Sequence, residues 1–114
     1  MADCIFCKIA AKEIPADLMY EDEHLVAFKD INPQAPVHFL VVPKKHIASL
    51  LELAPADAGL LDRVQQVIVS LARRLDIAGS GFRVVANTGE NGGQTVPHLH
   101  FHVLGGRFMD WPPG

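Results

Sequence analysis

Three histidines alternate with apolar residues near the end of the chain. They are His98, His100 and His102, in the stretch PHLHFHVL at positions 97 to 104. Successive side chains of a β-strand point to opposite faces, so the imidazoles would share one face and the apolar residues the other. Histidines two apart on a strand stand about 6.5 to 7 Å apart at their Cα atoms. Neighbouring rings can therefore converge on a metal ion, a phosphate group or each other.

This alternation has three interpretations. A polar strand face open to water would normally mix Thr, Lys and Glu rather than repeat one residue type. A histidine-rich zinc site of the metallohydrolase kind would use the three rings as ligands. A cluster that binds phosphate or supplies a nucleophilic imidazole would use them directly. The three residues alone leave the last two interpretations open.

A glycine-rich loop precedes the histidines. The stretch TGENGGQTVP carries Gly89, Gly92 and Gly93. Glycines let backbone N–H groups turn inward and approach an anion closely. A Gly-Gly pair between strands is more often only a turn. The loop therefore indicates a phosphate site only because the histidines follow it.

Short strands are predicted around these residues. They are expected at 18–22, 24–29, 37–43 and 82–87, and the histidine stretch is the fifth. A short N-terminal helix precedes them and is closed by Pro15. Because the first three strands follow one another directly, a five-stranded antiparallel meander sheet is expected.

One long helix is predicted to cover this sheet. Apolar residues recur three and four positions apart from Asp57 to Asp76, which is the period of an amphipathic helix. Pro55 and Asp57 indicate its start, and Gly79 its end. One long helix packed on sequential antiparallel strands makes an α+β domain.

Length and charge exclude several classes of protein. A chain of 114 residues fits one domain with a modest core. The net charge of −3 and the scattered basic residues argue against a nucleic-acid partner, which would require a basic face. The start MADCIFCKIA lacks the apolar core of a signal peptide, and no segment approaches the roughly 18 to 20 apolar residues of a membrane span. A cytoplasmic protein without a membrane partner is expected.

The two cysteines, Cys4 and Cys7, form a CxxC pair. In a reducing compartment such a pair binds metal or undergoes redox chemistry more often than it forms a structural disulfide.

The sequence resembles the histidine triad (HIT) nucleotide-binding family. Its signature is His-x-His-x-His followed by two apolar residues, here HLHFHVL at 98–104. The resemblance covers nearly the whole chain, through IFCKIAAKEIPA, DINPQAPVHFLVVPKKHI, NGGQTVPHLHFHVLGGR and WPPG. The last group is similar to the Hint branch, the nucleoside phosphoramidate hydrolases. A single HIT domain over residues 1–114 with the HIT-like fold is implied.

The resemblance implies that His100 is the nucleophile. Neutral imidazole is nucleophilic near pH 7, so it can attack the α-phosphorus of a purine nucleoside 5′-phosphoramidate or an aminoacyl-adenylate. Water would cleave the resulting nucleotidyl-histidine to a nucleoside monophosphate. A backbone carbonyl of the same strand would hold the proton on the other ring nitrogen. His102 and His38 would contact the phosphate and move protons, and which of them protonates the amine stays open. His102 favours transfer to water, since related transferases carry Gln there, and no cofactor is required.

The resemblance also implies a nucleotide pocket. Asp30 would accept hydrogen bonds from the ribose hydroxyls, although a carboxylate before Asn-Pro could simply form a turn. The walls around the base would be Ile5, Phe6, Ile9, Phe28 and Ile31, each of which could equally be plain core. The phosphate would be bound, besides His100 and His102, by Asn87, Gly93, Thr95 and the backbone N–H of Val96.

Many bacterial members of that family hold zinc with a CxxC pair and two histidines. The corresponding residues are Cys4, Cys7, His46 and His98. This donor set suits tetrahedral zinc, and a closed site of four protein ligands would be structural rather than catalytic. Reduced free thiols are the alternative.

The C-terminal tail, residues 105–114, ends in DWPPG, which is apolar and stiff for a terminus. The resemblance implies a two-fold homodimer in which this tail packs at the interface, with Trp111 on the leaving-group side of the partner's pocket. Three other functions stay open. They are a dinucleoside polyphosphate hydrolase, a non-enzymatic nucleotide-binding or scaffold protein, and a zinc hydrolase that uses the whole triad as ligands.

Overall fold

The computed structural model describes residues 4–114, which form one sheet and two helices. The elements are α1 (Ile5–Ala10), β1 (Leu18–Glu21), β2 (Leu25–Lys29), β3 (Val37–Pro43), 3-10 turns at Leu50–Glu52 and Pro55–Asp57, α2 (Ala58–Arg74), β4 (Phe82–Val85) and β5 (Phe101–Gly105). All strand pairs are antiparallel. The predicted α+β class, with five antiparallel strands, a long helix and a short N-terminal helix, is confirmed.

The strand order is β1-β2-β3-β5-β4, so the predicted meander holds only for the first three strands. After β3 the chain passes through α2 and returns at the edge of the sheet as β4. β5 then enters between β3 and β4, where it pairs with both. The histidine strand therefore lies inside the sheet, and its Val103 is completely buried.

The two faces of the sheet have different cores. α2 covers one face, where Leu99, Phe101 and Val103 join the main hydrophobic core. α1 covers part of the opposite face, where it packs on apolar residues of β2 and β3. The buried members of this second core are Cys4, Phe6, Ile9, Val26, Phe28, Leu40 and Val42. The triad histidines lie on this α1 face, so the predicted alternation of the stretch is confirmed.

The histidine strand is shorter than predicted. β5 begins at Phe101, so the first two histidines of the triad precede it. The backbone N–H of Leu99 donates to the carbonyl of Ile47, 2.6 Å away, instead of to β3. Pro43, the last residue of β3, has no N–H to offer to a longer ladder. The triad thus spans the junction of a loop and a strand.

α2 is also shorter than the predicted 57–76. Pro55–Asp57 forms a separate 3-10 turn, and the helix proper starts after it. At the other end Leu75 is the C-cap, and Asp76 takes the left-handed conformation with φ 61°. The predicted end at Gly79 is wrong, because an aspartate tolerates the backbone geometry that usually selects glycine. Within residues 4–114, no helix is long and apolar enough to cross a bilayer.

Candidate active site and metal centre

The ring of His100 is held by a backbone contact inside the triad. Its Nδ1 lies 2.7 Å from the carbonyl oxygen of His98, so Nδ1 carries the proton and donates it. The lone pair is then on Nε2. The ring is buried, and Phe6 packs edge-on against it with ring centroids 5.0 Å apart. A fixed imidazole with its lone pair on a known nitrogen is what a nucleophilic histidine requires.

His38 and His102 form a pair whose tautomers follow from one backbone contact. The N–H of Gln34 donates to Nδ1 of His38 over 3.0 Å, so neutral His38 carries its proton on Nε2. That Nε2 lies 3.0 Å from Nδ1 of His102. Nδ1 of His102 is therefore the acceptor, and the proton of neutral His102 is on Nε2. The only ring proton of His38 is thus directed at its neighbour.

Burial favours the neutral form of both rings. It is the main cause that lowers the pKa of His38, and the carboxylate of Asp30 partly opposes it. Burial also lowers the pKa of His102, with smaller contributions from the neighbouring His100 and His38, and Asp30 again opposes. Without a bound anion, both imidazoles are therefore neutral near pH 7.

Asp30 follows β2 and uses its two oxygens differently. Oδ1 accepts the backbone N–H of Asn32 over 2.8 Å, so the carboxylate does form the turn before Asn-Pro. Oδ2 lies 3.4 Å from Nε2 of His38 and 3.9 Å from Nδ1 of His102. The side chain is 17% exposed, so it is accessible from solvent as well. Asp30 both forms a turn and faces the histidine pair.

The residues expected around a nucleobase divide into two groups. Phe6, Ile9 and Phe28 are buried in the core of the α1 face, and the rings of Phe6 and Phe28 pack edge-on. Ile5 and Ile31 are 46% and 98% exposed. Only the exposed pair has a side-chain surface available to a ligand without rearrangement of the core.

The predicted phosphate-binding residues lie together in the loop between β4 and β5. Asn87 is partly buried two residues after the end of β4, and Val96 packs against the core of the α1 face. Gly93 and Thr95 are exposed. Gly93 has a φ of 76°, a conformation that favours glycine.

Gln94 is a residue whose importance the sequence patterns do not reveal. Its Oε1 accepts the N–H of Gly89 over 3.0 Å, and its Nε2 donates to the carbonyls of Ala48 and Val96 at 2.7 and 3.0 Å. These bonds join the loop to the segment that follows His46. In sequence, an amide among glycines looks like an ordinary turn residue.

The four predicted metal ligands converge at the other end of the triad. Nδ1 of His98 lies 3.2 Å from Sγ of Cys4, 3.5 Å from Sγ of Cys7 and 3.1 Å from Nδ1 of His46. Sγ of Cys7 is 3.2 Å from Nδ1 of His46. Zinc bond lengths place tetrahedral ligand atoms about 3.3 to 3.8 Å apart, so the spacing is close to that of a zinc site.

The contacts behind His98 prepare it as a ligand. Its Nε2 donates to the carbonyl of Pro43 over 2.8 Å, which leaves the Nδ1 lone pair directed at the two thiols. Burial, and then the neighbouring Cys4, raises the pKa of the Cys7 thiol. A bound cation would therefore be needed to hold it as thiolate. Two thiols and two imidazoles fit zinc, and together they fill a tetrahedral shell, as expected of a structural ion.

Comparison with known proteins agrees with this geometry. The family model described as "Scavenger mRNA decapping enzyme C-term binding" matches residues 3–110. An uncharacterized HIT-like protein from Synechococcus elongatus is 51% identical over 112 residues, which cover 98% of this chain and 97% of that protein. This chain belongs to the HIT family.

Solved structures of HIT proteins share the fold. A HIT family hydrolase from Legionella pneumophila Philadelphia 1 superposes with a TM-score of 0.97 at 47% identity, covering 98% of this chain and 100% of that one. A zinc-bound histidine triad family protein from Mycobacterium smegmatis gives a TM-score of 0.79 at 35% identity, covering 96% and 79% of the two chains. The predicted family is confirmed, and the similarity to a HIT hydrolase supports hydrolysis as the general reaction class.

Proposed function

We propose that this HIT protein hydrolyses the P–N bond of purine nucleoside 5′-phosphoramidates through a covalent intermediate on His100, and that aminoacyl-adenylates are further substrates. The observation that carries the proposal is the 2.7 Å contact between Nδ1 of His100 and the carbonyl of His98. It fixes the tautomer that leaves Nε2 free to attack phosphorus. The bond to this carbonyl strengthens as the attacking ring becomes positively charged.

His102 is the better candidate for the acid that protonates the amine. The ring proton of His38 is directed at His102, whereas Nε2–H of His102 makes no hydrogen bond within residues 4–114. The rings of His100 and His102 are 5.0 Å apart at their centroids, so both can reach groups on one phosphorus. An anionic substrate favours the protonated form of His102 by opposing the effect of burial.

The proton balance closes over two steps. In the first, Nε2 of His100 bonds to the α-phosphorus, the P–N bond breaks, and the amine leaves with the Nε2 proton of protonated His102. In the second, Nε2 of His102 takes a proton from water, whose oxygen bonds to phosphorus while the bond to His100 breaks. The products are the amine and the nucleoside monophosphate, and both histidines are restored.

The nucleotide is held, in this proposal, by the residues carried over from the family. Asp30 accepts bonds from the ribose hydroxyls, and Ile5 and Ile31 cover the base. Asn87, Gly93, Thr95 and the N–H of Val96 bind the phosphoryl oxygens. Zinc bound by Cys4, Cys7, His46 and His98 would cross-link α1 to the triad segment and would take no part in either step.

We also propose a homodimer through β4 and the tail. β4 is an edge strand, and its Val84 is 44% exposed. Arg83 of the same strand donates to the carbonyl of Asp110 over 3.1 Å and lies 6.0 Å from the ring centroid of Trp111, so the tail runs beside this edge. An unpaired edge beside exposed aromatic residues favours association. Sedimentation at micromolar concentration should give a dimer, and a monomer would contradict the proposal.

Substrate turnover tests the proposed activity. The wild-type protein is incubated with adenosine 5′-phosphoramidate or with a diadenosine polyphosphate, and release of AMP is measured by chromatography. We expect the phosphoramidate to have the higher kcat/KM and His100→Ala to release none from either. Preference for the polyphosphate would instead indicate a dinucleoside polyphosphate hydrolase. Tight AMP binding without turnover of either substrate would make the protein a binding module.

A further inference from the structure

The carboxylate of Asp30 faces the imidazoles of His38 and His102. The nitrogens of these two rings that face each other need a nearby acceptor if both are to carry protons. Nε2–H of His38 already points at Nδ1 of His102 across 3.0 Å. When His102 takes up a proton on Nδ1, two N–H donors face each other at that distance. The side chains of His38 and His102 are only 4% and 20% exposed, so two facing donors without an acceptor between them are strongly unfavourable.

Oδ2 of Asp30 lies beside both donors, and a shift of less than about 1 Å would bring it within the roughly 3.2 Å of a hydrogen bond to each. It lies 3.4 Å from Nε2 of His38 and 3.9 Å from Nδ1 of His102. Its Oδ1 is engaged by the backbone of Asn32, which fixes the orientation of the carboxylate. The negative charge also favours the protonated form of each ring, in the direction opposite to burial.

We propose that Asp30 is a positioning residue for the acid of this reaction, in addition to any contact with ribose: it provides the shared acceptor that lets His102 become protonated beside His38. The inference rests on the proposed function for its catalytic consequence. In the neutral state His38 donates to His102. In the protonated state both rings donate to Asp30, and Nε2–H of His102 is available to the leaving amine.

The surroundings of the pair contain few other charged groups. β3 contributes His38 itself, the segment before β5 contributes His100, and α1 contributes the apolar ring of Phe6 next to His100. The partner of His102 across β4 is Val85. Of the groups that perturb the pKa of His102, Asp30 is the one that carries negative charge.

The same three residues could be taken for a second metal site, since their donor atoms lie within 4.8 Å of one another. The backbone N–H of Gln34 argues against this assignment. It occupies the lone pair on Nδ1 of His38, so the proton stays on Nε2, the atom that would have to ligate. A proton, rather than a metal ion, therefore links the three side chains.

The first test reads the free protein and does not depend on substrate. The imidazole resonances of His38 and His102 are titrated by NMR in wild type, Asp30→Asn and Asp17→Asn. Asp17 is an exposed aspartate directly before β1, and its carboxylate lies 3.6 Å from Nζ of Lys29 rather than beside the two imidazoles. We expect both histidines to titrate at lower pH in Asp30→Asn and at the wild-type pH in Asp17→Asn. Unchanged titration in Asp30→Asn would overturn the proposal. Binding of a second equivalent of zinc by wild type but not by Asp30→Asn would also overturn it, because the three side chains would then form a metal site.

The second test separates the two roles of the carboxylate. With 2′,3′-dideoxyadenosine 5′-phosphoramidate there are no ribose hydroxyls to bind, so a remaining effect of Asp30→Asn comes from the histidine pair. We expect kcat on this substrate to fall about tenfold, part of the 10²–10⁴ contributed by acid catalysis, and the alkaline limb of the kcat profile to move to lower pH. Equal kcat and pH profiles for the two proteins would overturn the positioning role. If neither protein turns over any phosphoramidate while the NMR shift is present, the proposed function fails and the positioning of the pair stands.

Discussion

The structure contains two histidine pairs in which the facing ring nitrogens are nearly the same distance apart. The chemical surroundings of the two pairs differ. Nδ1 of His46 and Nδ1 of His98 are 3.1 Å apart, and Nε2 of His38 and Nδ1 of His102 are 3.0 Å apart. In the first pair a backbone carbonyl binds the far nitrogen of His98, so a lone pair faces the neighbour. In the second a backbone N–H binds the far nitrogen of His38, so a proton faces the neighbour. The backbone contact behind each pair decides whether it suits a metal ion or a proton.

The two regions meet in one residue. The side chain of His98 belongs to the thiol cluster, while its carbonyl oxygen holds the proton of His100. An ion in the cluster can therefore affect the nucleophile through the main chain at His98, and through Phe6, which lies between the two cysteines in sequence and packs against the ring of His100. His98, which belongs to the thiol cluster, and His100, which would bond to phosphorus, are two positions apart, but single substitutions can affect one role without the other.

His100→Ala has the largest expected effect, and it tests this separation from the catalytic side. Turnover should fall by about a thousandfold or more, because the group that bonds to phosphorus is lost. Zinc content, measured by elemental analysis of the purified protein, should stay at the wild-type value because His100 is not a ligand. Loss of zinc together with turnover would show that the two regions are one site.

Cys7→Ala tests the same separation from the metal side. One ligand is lost, so zinc binding should weaken, and the stabilisation of about 2.7 kcal/mol that zinc gives at a hundred times its Kd should disappear. Unfolding by urea with and without zinc measures this difference. The folded variant should keep turnover close to that of wild type. If it stayed folded and dimeric yet lost turnover, zinc would be part of catalysis.

Gln94→Ala tests the hydrogen bonds that join the loop between β4 and β5 to the segment after His46. The carbonyls of Ala48 and Val96 would lose their donor, at a cost of about 1 to 3 kcal/mol in the free energy of unfolding. The matched control is Gln66→Ala on the exposed side of α2, expected to change it by less than about 0.5 kcal/mol. Equal effects of the two substitutions in urea unfolding would remove Gln94 from the account.

The smallest expected effect is the pH dependence of the free energy of unfolding that is due to His38 and His102. Burial lowers the pKa of His38 and of His102 below the unfolded value of about 6.5, so the unfolded chain binds more protons near that pH. Their contribution is complete above about pH 6.5 and is lost as the pH falls through the folded-state values. In urea unfolding from pH 7.5 to 5, His38→Asn should flatten this decline, and His24→Asn, at an exposed position, should leave it unchanged. An equal slope in all three proteins would contradict the assigned burial.

Short-range patterns predicted much of this fold. The alternation of the histidine stretch and the helical period of α2 each depend on neighbours within a turn or a strand, and both were confirmed. The edge position of β4 depends on how the chain returns after α2, which no local pattern encodes. The helix end was mispredicted because Asp76 adopts a backbone conformation usually reserved for glycine.

The site shows the same limit. Resemblance to the family predicted four metal ligands, and the structure brings these four side chains together. The tautomers of His38 and His98 could not be predicted from the sequence, because they depend on backbone atoms of Gln34 and Pro43. Residue type does not indicate where a backbone N–H or carbonyl points. Gln94 was missed for the corresponding reason, since its partners are main-chain groups distant in sequence.

The most direct test of the account is a search for the covalent intermediate. Wild type, wild type stripped of zinc, and His100→Ala are mixed with adenosine 5′-phosphoramidate, quenched in acid within the first turnover and examined by intact mass. We expect an added AMP on both wild-type samples and none on His100→Ala. AMP release without an adduct on wild type would indicate direct attack by water and contradict the central claim.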